Sequence, residues 1–161
     1  MFLEANISRS VTVAASPAAV FAVLSDVPDS TAHFPTLLSL IAEKGGYTWT
    51  LAPVRMKGVS VQLVYCCRYT TGAVAGIVSW VPVAGVGNTE VTGDWRITPS
   101  GSGSRVTLTN HLQLKLSLPR LLRPFARPLL EKNNTELIEG YIANLAKTFS
   151  GEQGRLRAPM R

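Results

Sequence analysis

Val106-Thr107-Leu108-Thr109-Asn110-His111-Leu112-Gln113-Leu114-Lys115-Leu116 alternates apolar and polar residues almost without a break. Successive side chains of a strand point to opposite faces, so this stretch is a strand with one buried face. Val106, Leu108, Asn110, Leu112, Leu114 and Leu116 share that face, and Thr107, Thr109, His111, Gln113, Lys115 and Ser117 share the other. One polar residue, Asn110, lies among the apolar ones. A sheet with a single apolar face needs a partner layer, and the rest of the chain must supply it.

Upstream, from Leu38 to Leu118, the same period of two recurs between regular turn signals. The breaks fall at Gly45-Gly46, Gly58, Thr71-Gly72, Gly85-Val86-Gly87-Asn88 and Pro99–Ser104. Short intervals of this kind join antiparallel hairpins. A further strand is expected around Ile7–Val13. After it, Ser16-Pro17 has the make-up of a helix start, with Ser as N-cap and Pro in the first turn. Val20, Phe21 and Leu24 mark the apolar face of that helix, and a second short helix is expected from about Asp29 to Leu37, shortened at His33-Phe34-Pro35.

Downstream, a connector rich in Pro and Arg (Pro119, Pro124, Pro128) leads to a helix predicted from about Leu129 to Phe149, with Gly151 as its stop. At 100° per residue, Leu130, Asn134, Leu137, Ile138, Tyr141, Ile142, Leu145 and Phe149 form one broad face of this helix. Lys132, Asn133, Glu136, Gly140, Asn144 and Lys147 form the other. Gly140 then sits on a polar face with nothing pressing on it. The expected fold is α+β: a curved antiparallel sheet of six to seven strands, two short helices after the first strand, and the long C-terminal helix across the concave face. Residues 1–150 make one domain, and residues 151–161 a disordered basic tail.

The apolar phase of each strand gives an inward set: Tyr47, Trp49, Leu51 and Arg55; Val61, Leu63, Tyr65, Cys67 and Tyr69; Val78 and Trp80; Val91, Gly93, Trp95 and Ile97. Large and small residues mixed in this way need not close-pack against a single helix. A void of a few hundred Å³ is therefore expected between helix and sheet, about the size of ordinary ligand pockets. The expected ligand contacts are Trp49, Leu51, Arg55, Leu63, Tyr65, Cys67, Trp80, Trp95, Asn110 and Leu112 from the sheet, with Asn134, Leu137 and Tyr141 from the helix. Arg55 and Asn110 would orient a polar end.

Ala15-Ser16-Pro17, Val20-Phe21, Leu24-Ser25-Asp26 and Phe34-Pro35 resemble the opening of START-like (SRPBCC, Bet v 1-like) domains, especially the branch with polyketide cyclases and coenzyme Q-binding proteins. The resemblance spans about residues 5–150 and implies the helix-grip fold. It also implies a hydrophobic ligand such as a lipid, a quinone or a polyketide. It brings no catalytic motif, so no catalytic residue is assigned.

The residues themselves supply no obvious chemistry. His33 and His111 have no sequence-adjacent partners, and among the acidic residues only Glu131 approaches the inward phase. Cys66 and Cys67 are neighbours on a strand, so they point apart and are expected to be reduced thiols without metal. No metal or cofactor is expected. Gly85-Val86-Gly87-Asn88 lacks the third glycine of a dinucleotide loop. A carrier or binder of a hydrophobic molecule leads the readings. A cyclase- or hydrolase-type enzyme acting in the same cavity, and an interaction module with a filled core, remain open.

The formal net charge is +6, yet no basic-aromatic interleaving marks a nucleic-acid surface. No apolar run reaches the roughly 20 residues of a membrane span, and the first residues lack a secretory signal. A soluble, cytoplasmic domain is expected. Arg120, Arg123 and Arg127, interleaved with Leu121, Leu122 and Phe125, suggest weak contact with an anionic membrane. Oligomeric state is not legible.

Overall fold

The computed structural model describes the backbone of residues 1–157 and the side chains of residues 1–150. In chain order the elements are β1 (Phe2–Val13), α1 (Pro17–Leu24), α2 (Val27–Thr31), β2 (Leu37–Glu43), β3 (Gly46–Leu51), β4 (Val54–Met56), β5 (Val59–Val61), β6 (Val64–Gly72), β7 (Ile77–Pro82), β8 (Thr89–Ser100), β9 (Gly103–Lys115) and α3 (Arg123–Arg157). Seven strands form one antiparallel sheet in the order β1-β9-β8-β7-β6-β3-β2, while β4 and β5 pair only with each other. This is the helix-grip architecture, with α3 laid across the concave face.

The alternation in β9 places Val106, Leu108, Asn110, Leu112 and Leu114 in the interior. Opposite Asn110 stand Gly93 on β8 and Ile7 on β1. Both short helices are capped as the physics of unpaired N–H groups requires. The Ser16 hydroxyl accepts from the Ala19 amide at 3.2 Å, and the Asp26 carboxylate accepts from the Asp29 amide at 3.1 Å. The second helix therefore starts at Val27 rather than Asp29, and Ser30 is released for another task.

Three further expectations need correction. The last helix runs from Arg123 to Arg157, not from Leu129 to a stop at Gly151; Pro124 suits its start because in a first turn the missing N–H costs nothing. Arg55 is exposed on β4, because after Leu51 the chain leaves the main sheet through Ala52-Pro53 and its face no longer follows from β3. Glu131 is exposed and pairs with Arg127 at 3.4 Å. The expected disordered tail, residues 151–161, lies outside the residues whose side chains are described.

Helix α3 buries Ala126, Leu130, Asn134, Ile138, Tyr141, Ile142, Leu145 and Phe149. Its opposite side is not uniformly open, however. A Cβ added at Gly140 would lie 2.9 Å from Pro35 Cγ, so the glycine is the seat for the segment between α2 and β2. Burial of Cys66 and Cys67 on opposite faces leaves both as free thiols.

Candidate functional site

The segment His33–Thr36 closes one end of the space between α3 and the sheet. His33 Nδ1 lies 3.1 Å from the Asp29 carbonyl and 3.2 Å from that of Ser30. A carbonyl only accepts, so Nδ1 carries a proton, and Nε2 is hydrogen-bonded to the Thr148 hydroxyl at 2.9 Å. Asn144 Nδ2 donates to the His33 carbonyl at 2.8 Å. With both ring nitrogens engaged, His33 straps this segment onto α3. Thr36 takes a left-handed φ of 65°, uncommon for a residue with a side chain, and turns the chain into β2.

The strap delivers Phe34 into an aromatic cluster. Its ring lies edge-on to Trp49 (5.4 Å between centroids) and to Tyr141 (5.1 Å). Trp95 meets Tyr141 at 5.5 Å, and Trp49 stacks on Tyr65 at 5.5 Å. The cavity that remains has a volume of about 50 Å³, room for a few waters. The expected single void of a few hundred Å³ is absent; the half-buried phenyl ring of Phe34 stands in the wall between this cavity and the next.

Trp49, Tyr65, Cys67, Trp80, Trp95, Asn110 and Tyr141, all expected as ligand contacts, line this cavity. Leu51, Leu63, Leu112, Asn134 and Leu137 line a second void of about 30 Å³, next to the first and sharing Phe34, Tyr65 and Asn110 with it. A third void, also about 30 Å³, continues the line beneath α3 to Ala126 and the β4–β5 hairpin. Arg55 belongs to none of these. Sequence reasoning missed Phe34, Ser30 and Tyr69 as lining residues. Tyr69 was legible from its inward phase, whereas Phe34 and Ser30 become interior only through tertiary placement.

Six of the polar side chains lining the first cavity are tied to one another in pairs. Trp80 Nε1 donates to Asn110 Oδ1 at 3.3 Å, Trp49 Nε1 donates to the Tyr69 hydroxyl at 3.0 Å, and the Tyr141 and Ser30 hydroxyls share a hydrogen bond. Asn110 thus has a protein partner. Asn110→Leu is expected to strand the Trp80 indole N–H and to lower stability by about 1–3 kcal/mol, read as a lower denaturant midpoint at unchanged slope.

Every shifted titratable group here is pushed toward its neutral form. Burial raises Tyr65, with smaller contributions from Cys67 and Tyr141. Burial also raises Tyr69, against the lowering effect of the Trp49 hydrogen bond, and raises Tyr141. It pushes the Cys67 thiol up to about 12, with Cys66 adding to the shift. These acids ionise more readily unfolded than folded, so their stabilising effect is complete below the unfolded pKa values. It is lost as pH climbs toward the folded ones. Melting temperature is therefore expected to hold up to about pH 9 and to fall above it, by about 1.4 kcal/mol of stability per pH unit for each group in its window. Tyr65→Phe should shallow that alkaline decline. Among the described residues, no three His, Cys, Asp or Glu side chains gather as a metal site.

A family profile described as "Polyketide cyclase / dehydrase and lipid transport" matches residues 4–150. No curated protein matches the sequence. Among solved structures, the Zhui aromatase/cyclase from Streptomyces sp. R1128 superposes with a TM-score of 0.62 at 19% identity, covering 97% of this chain and 98% of that one. A START superfamily protein from Mycobacterium smegmatis gives 0.62 at 16% identity (89% and 96% covered). A conserved protein from Geobacillus kaustophilus gives 0.65 at 13% (92% and 95%). At such identities the likeness establishes the shared fold.

Proposed function

Because the chain belongs to the family described as polyketide cyclase / dehydrase and lipid transport, we propose that it binds a hydrophobic small molecule beneath α3 and releases it chemically unchanged. One observation carries this reading. The first cavity combines aromatic and aliphatic walls with a few hydroxyl and amide groups and no charged side chain, the usual make-up of a small-molecule site. Acid–base chemistry would need a group titrating near the working pH. Tyr65, Cys67, Tyr69 and Tyr141 are all shifted away from it, which favours holding over converting.

At its present volume the cavity cannot hold a ligand of ordinary size, so binding requires the walls to part. The voids form a line under α3, and the strap carrying Phe34 is the element whose displacement joins the first two. Native mass spectrometry of the freshly purified chain, followed by organic extraction, tests this. A mass adduct released on extraction as a lipid-, quinone- or polyketide-like molecule is the expected result. A bare polypeptide mass, together with no saturable binding of any member of a panel of such molecules, would overturn it. Covalent change of the bound molecule during incubation would instead favour a cyclase-type enzyme.

A further inference from the structure

The end of the molecule away from the strap carries two apolar side chains that the fold leaves in water. Leu121 is 86% exposed and Phe125 47%. They stand on the turn Arg120–Leu122 and the first turn of α3. Arg120, Arg123 and Arg127 flank them and are exposed, and Arg55 and Lys57 add exposed cations from the β4–β5 hairpin. The two parts meet, since Lys57 Nζ lies 3.7 Å from the centre of the Phe125 ring. Neither residues 115–130 nor residues 52–64 contain an acidic side chain. The next in sequence, Glu131, pairs with Arg127, and Arg123 Nε donates to the Leu118 carbonyl at 3.3 Å. Directly behind this surface is the third void, walled by Met56, Val61, Leu114, Ala126 and Leu129.

We propose that this end docks on an anionic lipid bilayer, with Leu121 and Phe125 entering the headgroup boundary and Arg120, Arg123, Arg127 and Lys57 meeting lipid phosphates and carboxylates. Single protruding apolar side chains ringed by cations suit a soft, negatively charged interface, where each basic residue adds attraction and the apolar tips add burial. Among the described residues no helix is long and apolar enough to cross a membrane, so the contact is peripheral. Docked in this way, the third void lies next to the lipid. The inference rests on this surface alone and does not require the cavity to hold a ligand.

Sedimentation of the full chain with vesicles tests it. Vesicles of phosphatidylcholine with phosphatidylserine should carry the protein down, vesicles of phosphatidylcholine alone should not, and added salt should release it. Leu121→Ser, at a position too exposed to affect folding, should weaken binding about tenfold or more. Arg120→Gln should weaken it about fivefold. Arg105→Gln, an exposed change near the other end of β9, should leave it unaltered. Equal loss in Arg105→Gln and Arg120→Gln would reduce the effect to net charge and overturn the proposal. So would failure to sediment with anionic vesicles, and so would retention by polyglutamate without vesicle binding, which would assign the surface to an acidic protein.

Discussion

Replacing Phe34 with alanine is expected to create the pocket that the wild-type chain keeps shut. The phenyl ring is shared by the walls of the two adjoining voids, so its removal fuses them. Phe→Ala changes in cores cost about 3–5 kcal/mol, and the partial exposure of Phe34 places its cost near the lower limit. Stability should fall by about 3 kcal/mol without ligand. A hydrophobic fluorophore should bind the variant in a saturable one-to-one manner, at least tenfold tighter than the wild type, and should restore part of the lost melting temperature by mass action. If stability falls with no gain in binding, Trp49 and Tyr141 have closed over the space, and Phe34 is packing rather than a plug.

Gly93→Ala should be nearly as damaging, for a different reason. Gly93 lies on β8 between Trp80 on β7 and Asn110 on β9. A Cβ there would stand 2.3 Å from the Thr109 carbonyl oxygen and 2.8 Å from the Trp80 ring. Its backbone is not in the left-handed region, so alanine meets no conformational barrier and would by entropy alone stabilise the strand. The sign is decided by overlap with a neighbouring strand, which cannot yield cheaply. A loss of about 3 kcal/mol, or roughly 10 °C in melting temperature for a chain of this size, is expected. Because Trp80 must move, its hydrogen bond to Asn110 should break as well, giving a changed near-ultraviolet circular dichroism signal. An unchanged melting temperature would mean that the sheet flexes here more than its register suggests.

Much of the fold could be read from the sequence, because burial on one face imposes a period. The interior residues of β9, the inward Trp49, Tyr65, Cys67, Trp80 and Trp95, and the apolar face of α3 all follow from that rule. Reading fails where position depends on something else. Arg55 was counted inward by extending the phase of β3 across Ala52-Pro53, but the chain changes sheets there and phase does not survive the change. Prolines 119, 124 and 128 obscured the start of α3, since proline disrupts the interior of a helix yet suits its first turn. The cavity was overestimated because its size depends on Phe34, whose burial comes from a strap fixed by Thr148 and Asn144, more than a hundred residues away in sequence. Asn110 looked like a group awaiting a ligand only because its partner, Trp80, sits two strands away.

The contact between Gly140 and Pro35 has a consequence for the history of such chains. Alanine at position 140 would relieve the cost of about 0.5–1 kcal/mol that glycine imposes on a helix interior, yet its methyl group would press on Pro35 Cγ, which only a change of ring pucker or a shift of the strap can withdraw. Neither position can then drift freely. Among sequences that keep this fold, a side chain at 140 should appear together with a residue smaller than proline at 35, and proline at 35 together with glycine at 140. A swap that respects this pairing, Gly140→Ala with Pro35→Ala, should therefore melt higher than Gly140→Ala alone.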